Sequence, residues 1–286
     1  MLASCVFTAA VLRASFSAFV AQAGTGLFTI LLLASVERLA PYDPKWKESD
    51  GEEATDAAHT GISAAVDHAT KGCLATWVAQ SALVQAAAGS WGSQALASLP
   101  LVARVVAALI VGEIGGYASH WLFHVRSLPF WELHRVHHAV SRLWWLNTAR
   151  FHPLDVVAQL LLIYPPLFVA GLGDSEVLFW YGTIFNTVGQ LSHCNVRTRS
   201  GALNFIFNTP DCHRFHHNRR LSHSNSNYGQ VLMIYDVLLG TFVDPSTHEM
   251  SSGFGMGIHT LSSAGVLQNL WRPLVAMWRN STVDAD

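Results

Sequence analysis

The chain has 286 residues, 51% of them hydrophobic and only 13% charged, about half the charge of an ordinary soluble domain. A formal net charge of −2 and a pI near 6.7 leave no nucleic-acid footprint, and four cysteines (Cys5, Cys73, Cys194, Cys212) without CxxC spacing suggest no disulfide framework. The low charge and long apolar runs point to a membrane protein, with a mean hydropathy of +0.29.

Five segments are candidates to enter a bilayer, where a spanning helix needs about 20 mostly apolar residues. The first runs from Ser15 to Val36 and the second, a short one, covers 73–89. A signal peptide ending at Ala21-Gln22-Ala23 competes for the first, but no basic region precedes it and Arg13 interrupts it. The third runs from Ala95 to Ser119, interrupted by Arg104 and Glu113. The fourth, 156–172, contains Pro165-Pro166, and the fifth runs from Val177 to Leu191; four residues join these two, so they form a hairpin. The stretch 37–71 is a polar connector whose acidic centre reads as a solvated loop, and its His59 and His68 read as surface histidines. Of the 17 Lys and Arg residues, all but Arg13 and Arg104 fall in 37–71, 120–153 and 192–280. Those stretches should face the cytoplasm, and they also hold the histidines. The expected fold is all-α: a multi-pass membrane protein with four to five membrane helices, capped by a cytoplasmic, histidine-rich, di-metal helical region. Its expected divisions are 1–94 (membrane helices and connector), 95–245 (catalytic region) and 246–286 (tail).

Eleven of the 15 histidines lie between His120 and His223. "HWLFH" places His120 and His124 one helical turn apart. "HRVHH" (His134, His137, His138) and "HRFHH" (His213, His216, His217) share one spacing, and each reads as three rings on one helical face. One HxxxH is weak evidence; this combination beside apolar helices is strong. Eight imidazoles exceed what one ion needs, so two metal ions are expected. Imidazole suits Fe, Zn, Cu and Ni alike. The Glu-x-x-His pairs of soluble di-iron bundles do not occur. His193, where the fifth segment ends, is a plausible ninth ligand. Glu113, Glu132, Asp155 and Asp211 are candidate outer partners of the ligands, for each of which another role is open: an interhelical hydrogen bond for Glu113, a solvated carboxylate for the rest. His152, before Pro153, reads as structural or as an outer partner. His223, His248 and His259 read as surface groups, and Cys194 and Cys212 as small buried hydrophobes.

The ordered motifs "HWLFH", "HRVHH", "RFHPLD", "HCNV", "NTPDCHRFHH" and "NYGQVLMIYDVLLGTF" resemble the fatty acid hydroxylase superfamily, also called the sterol desaturase family, over roughly residues 110–243. The resemblance implies an integral membrane oxygenase with two Fe ions, Zn being a possible substitute, and O2 as co-substrate. It carries the metal ligands onto His120, His124, His134, His137, His138, His213, His216 and His217. His152, His193 and Asn195 fall within matching motifs. Where many members carry an arginine in the closing motif, this chain has Val237.

Both lines lead to a membrane-bound di-iron oxygenase that hydroxylates or desaturates a lipid with O2. No redox domain is visible, so electrons are expected from an external donor such as cytochrome b5, a ferredoxin or a reductase. Arg142, Arg150, Arg219 and Arg220 are candidates to receive an acidic partner, or equally phospholipid headgroups. Trp121, Phe123, Trp131, Trp144, Trp145 and Phe151 are candidates to line a lipid entry or to form an interfacial aromatic belt, the belt being favoured. The alternative is a zinc-dependent membrane lipid hydrolase; a metal store or transporter ranks with it.

Overall fold

A computed structural model describes residues 1–13, 18–125, 128–248 and 265–278. These residues are helical throughout, with two isolated β-bridges and no strand among them. The helices are α1 (Leu2–Arg13), α2 (Ala18–Leu39), α3 (Glu53–Gln80), α4 (Ala82–Ala88), α5 (Trp91–Ala97), α6 (Leu101–His124), α7 (Phe130–His138), α8 (Pro153–Val169), α9 (Ser175–His193), α10 (Pro210–His216), α11 (Leu221–Ser224), α12 (Ile234–Leu239) and α13 (Val266–Trp278).

The centre of the molecule is α6, which follows Pro100 and is apolar for most of its 24 residues. Its small residues let two helices come close. A Cβ on Gly115 would lie 2.0 Å from Leu162 O of α8, and one on Gly112 would lie 2.6 Å from the Tyr181 hydroxyl of α9. Close backbone approach through small residues is how helices pack where the surroundings are as apolar as the side chains. His152 caps α8, its Nδ1 accepting from Leu154 N, and Pro153 follows where a missing N–H costs nothing. Asp174 caps α9 and pairs with Arg104 at 2.7 Å, tying the α8–α9 turn to the start of α6. Ala108, Leu109, Leu160, Ile163, Leu167 and Tyr181 fill the space between these helices. As a result, the C-terminal ends of α6 and α9 and the N-terminal end of α8 meet at the same end of the bundle.

Among the described residues two helices, Val20–Leu39 and Leu101–His124, are long and apolar enough to cross a membrane. The fourth expected segment is a 17-residue apolar helix. The second is divided, because α3 ends at Gln80 and Ser81 caps a new helix. Exposed Leu27, Leu31, Val102, Val106, Ile114 and Leu161 present apolar surface on α2, α6 and α8.

The polar connector is not a solvated loop. Most of it is the first half of α3, and its acids form an ion-pair layer around the buried Arg142 and Arg150. Arg142 pairs with Asp50 and Glu53 and donates to Trp46 O and Glu48 O; Arg150 pairs with Glu52 and Asp56. These pairs explain the charge run in the sequence, and they withdraw Arg142 and Arg150 from any partner-docking surface. Arg219 and Arg220 remain exposed. His59 is fully buried, with Nδ1 3.1 Å from Phe151 O. The aromatic belt is also corrected. Trp121 is exposed, but Phe123, Trp131 and Phe151 pack on histidine rings and Trp144 Nε1 donates to Asp56.

Candidate metal centre

Nine histidines converge in two adjoining groups. His120, His124, His134, His138 and His216 form one; His137, His193, His213 and His217 form the other. Within each group the candidate ligand atoms lie within 4.8 Å of one another, and all nine residues are buried. Every histidine singled out for metal binding in the sequence, His193 included, is in this assembly. The grouping differs from the motifs. Each HxxHH was read as one face, yet each is divided. On α7 the i, i+4 pair His134 and His138 joins the five-histidine group, while His137, rotated by about 60°, joins the other. On α10 the division is reversed: His213 and His217 enter the four-histidine group and His216 enters the five.

The ring tautomers follow from the outward partners. His120 Nδ1 lies 2.7 Å from Tyr228 O, His216 Nδ1 2.7 Å from Ser226 O, and His134 Nδ1 2.8 Å from Asp155 Oδ2. Those oxygens only accept, so each Nδ1 carries the proton and donates it. Each Nε2 then turns a lone pair inward, the arrangement metal-bound imidazoles use. Nε2 of His120, His134 and His216, and both nitrogens of His138, are buried without a hydrogen-bond partner. A native core rarely leaves so many polar atoms orphaned in one place.

In the second group His193 Nδ1 donates to Asn147 Oδ1 at 3.0 Å. Asn147 is itself oriented by Trp144 N, which donates to Oδ1, and by its Nδ2, which donates to Arg142 O. The four Nε2 atoms approach one another at 2.8 to 3.3 Å. Ligands on an ion at a metal–nitrogen distance of about 2.0–2.1 Å are separated by roughly 2.9–3.4 Å, so the spacing suits one ion. Burial, and then the charge of neighbouring imidazoles, holds His137, His138, His213, His216 and His217 well below the usual histidine range. The rings are neutral at pH 7, as ligands must be. The donor set therefore fits two borderline cations that accept imidazole, iron and zinc among them.

The other candidates divide sharply. Asp155 holds His134 and is held in turn by Gln159 Nε2 at 2.6 Å. Glu113 touches no ring; its carboxylate accepts from the backbone N–H groups of Gln230, Val231 and Leu232 at 2.6, 2.9 and 2.8 Å. His152 Nε2 lies 3.1 Å from Leu270 O of α13 and serves as a cap and tie. Asn195 brackets Asp43 through that residue's N–H and C=O. Asp211 binds Thr198, Ser200 and Arg214, and Glu132 pairs with Arg135. His68 and His248 are exposed, His223 stacks on Phe215, and His259 lies outside the described residues.

Sequence reasoning passed over Asn147, Ser226 and Tyr228. Two of these contribute a backbone oxygen, which no side-chain identity announces. The stretch "NYG" was the available signal. Asn227 has φ 57°, a left-handed conformation that asparagine tolerates, and its side chain is bonded to Val243 N and O. Asp236 accepts from the N–H of Tyr228 and of Gly229. The closing motif is thus a brace that aims the Tyr228 carbonyl at His120.

A cavity of about 400 Å³ opens onto both groups, reaching His120 and His134 of one and His137, His193 and His213 of the other. Its walls come from α3, α8 and α9, with Val156, Leu160, Ile163 and Phe185 as apolar lining. Phe151 stacks on His137 at 4.2 Å and also lines the cavity.

Comparison with known proteins places this geometry. The family model described as Fatty acid hydroxylase matches residues 105–241. Ornithine lipid hydroxylase OlsE of Rhizobium tropici is 38% identical over 264 residues, covering 90% of this chain and 76% of that protein. Alkylglycerol monooxygenases of Danio rerio and Homo sapiens are each 31% identical, over 47% and 46% of this chain; the matches span 29% and 28% of those longer proteins. No solved structure gives a significant match.

Proposed function

The chain belongs to the fatty acid hydroxylase family and is an oxidoreductase acting on lipids, and from that premise we propose that its two histidine groups hold a pair of irons that hydroxylate a lipid with O2 and externally supplied electrons. The observation that carries the proposal is the pair of buried imidazole groups, lone pairs inward, opening onto one cavity. When bound, the metals supply O2 activation and the oxidation of an unactivated C–H bond, which no side chain here can perform. The chain's own residues do the rest. Tyr228 O, Ser226 O, Asp155 and Asn147 keep the proton on Nδ1 of their rings and fix ring orientation. The apolar lining of Val156, Leu160, Ile163 and Phe185 orients the substrate and keeps water from the reacting carbon.

By similarity to OlsE, the substrate is an ornithine lipid or a related acyl lipid. A hydrolase reading has no support: the relatives named are hydroxylases and monooxygenases. We further propose that α2 and α6 cross the bilayer, that α8 and α9 enter it as a hairpin, and that the histidines lie at the cytoplasmic face, where Lys and Arg concentrate. Residues 95–245 form the catalytic region, and the electron donor is a separate protein.

The test is purification in detergent, metal analysis, and incubation with ornithine lipid, a reductant and labelled O2. The expected product has gained one labelled oxygen atom. Active protein holding less than one iron per chain would overturn the assignment.

A further inference from the structure

Asp67 stands apart from the histidine centre. Among the described residues it is the one Asp, Glu, Lys or Arg side chain on the cavity wall. It lies on α3 seven residues past Thr60, about 10 Å of helix rise, and Thr60 is bonded to Leu146 O beside the centre. Lys71, one turn further on, pairs with Asp67 at 2.8 Å. Lys71 Nζ also lies 5.4 Å from the centre of the Tyr164 ring on α8, so the pair bridges the two helices. The Asp67 and Lys71 side chains keep 37% and 34% of their surface open, enough to meet a ligand.

The pair sits at a junction. On the histidine side the cavity offers Thr60, Ser63, Gln159 and Gln190, and Gln190 Oε1 is buried without a donor. Farther along α3, the α3–α8 face forms a second concavity of about 490 Å³ whose lining includes Cys73, Leu74, Trp77, Leu161 and Pro165. One side suits a polar group and the other a hydrocarbon chain, which is the shape of an amphiphile.

The ion pair restricts which amphiphile. An anionic headgroup attracted to Lys71 is repelled by Asp67. A cationic one captures Asp67 but takes the carboxylate partner from the Lys71 ammonium, so it gains one contact at the loss of another. A neutral one gains nothing from either. A zwitterion exchanges partners with both, its ammonium going to Asp67 and its anionic group to Lys71. We propose that Asp67 and Lys71 are the headgroup-recognition pair, selecting lipids that carry both an ammonium and an anionic group, with a tail in the α3–α8 groove and the polar end in the cavity. The proposal rests on the lipid-oxygenase reading and adds the residues that choose the lipid.

The experiment is a binding assay on the full-length, detergent-solubilised, metal-loaded chain, with three probes of matched acyl chains: ornithine lipid, phosphatidylethanolamine and diacylglycerol. Wild type is expected to bind the zwitterions at least about ten-fold more tightly than diacylglycerol, the worth of one charged hydrogen bond. Preference for both zwitterions, or for either alone, supports the proposal and identifies the anionic group as carboxylate, phosphate or either. Asp67→Asn is expected to lose the preference at unchanged metal content, and Asp67→Glu to keep it. Wild type without preference, or Asp67→Asn with the full preference, overturns the proposal. Product formation is read separately: tight zwitterion binding without oxidation sinks the oxygenase reading alone, and oxidation without headgroup preference sinks the recognition pair alone.

Discussion

Glu113→Gln tests how the centre is held from a distance. Glu113 receives three backbone N–H groups from residues 230–232, and that strap continues to Tyr228, whose carbonyl holds His120 Nδ1. Glutamine retains one acceptor oxygen and turns an NH2 toward an N–H that formerly donated to a carboxylate. The change leaves one buried backbone N–H without its acceptor, about 1–3 kcal/mol, with a donor facing it. His120 belongs to the five-histidine group alone. Loss of the partner behind a ligand lowers metal affinity roughly 10–100-fold. The expected result is therefore selective: one metal per chain becomes removable by a chelator at a concentration that spares the other. Metal content per chain across a chelator titration reads this directly. Two metals held as in wild type, or both lost together, would refute the route from Glu113 through the strap to His120.

Further outcomes are expected elsewhere. His216→Ala and His137→Ala should each remove a different ion, because the two residues sit in different groups; each variant should keep about one metal per chain and lose oxygenase activity, and simultaneous loss of both ions in both variants would count against two separate sites. Asp155→Ala strands the Nδ1–H of His134, which costs about 1–3 kcal/mol, and should weaken metal binding by a similar 10–100-fold, measured by chelator competition. Gly115→Ala forces a Cβ into Leu162 O and should destabilise the fold by about 1–3 kcal/mol through overpacking, seen as a lower melting temperature in detergent. Burial holds His59 down at about 4, against about 6.5 when unfolded. The folded chain then binds fewer protons than the unfolded one between those values, so stability is full above roughly pH 6.5 and falls as pH drops toward 4, by about 3 kcal/mol at most. His59→Gln should show a smaller loss of melting temperature than wild type on going from pH 7 to 5; equal losses would show that His59 does not titrate in this way.

Much of this protein is written locally. Apolar runs of the right length named α2, α6 and the α8–α9 pair, since burying a helix in lipid or core demands one residue type over many positions. Eight of the nine candidate ligands were readable because imidazoles one turn apart share a face, and little else calls for that spacing; His193 was readable from its place at the end of the fifth segment. Long-range pairing was not readable. Glu52, Glu53 and Asp56 look like a solvated run until Arg142 and Arg150, some ninety residues away in the sequence, come to lie against them. Glu113 reads equally as a group aimed at the metals or as an interhelical hydrogen bond until the 230–232 backbone claims it. His59 looks like a surface residue until the turn ending at Phe151 covers it.

The sequence by itself named the histidines that this reading assigns to metal, and tertiary structure alone decided how they are shared. A motif specifies angles about its own helix axis, and so it can state that His134, His137 and His138 share one broad side of α7. It cannot state what stands opposite. The division into five and four arises where α7 faces α10 with α6 at one flank and α9 at the other, each flank completing a different half of the same two motifs. The protons on those rings are settled in the same way, by carbonyl oxygens of Ser226 and Tyr228 that every residue possesses and that only folding can aim.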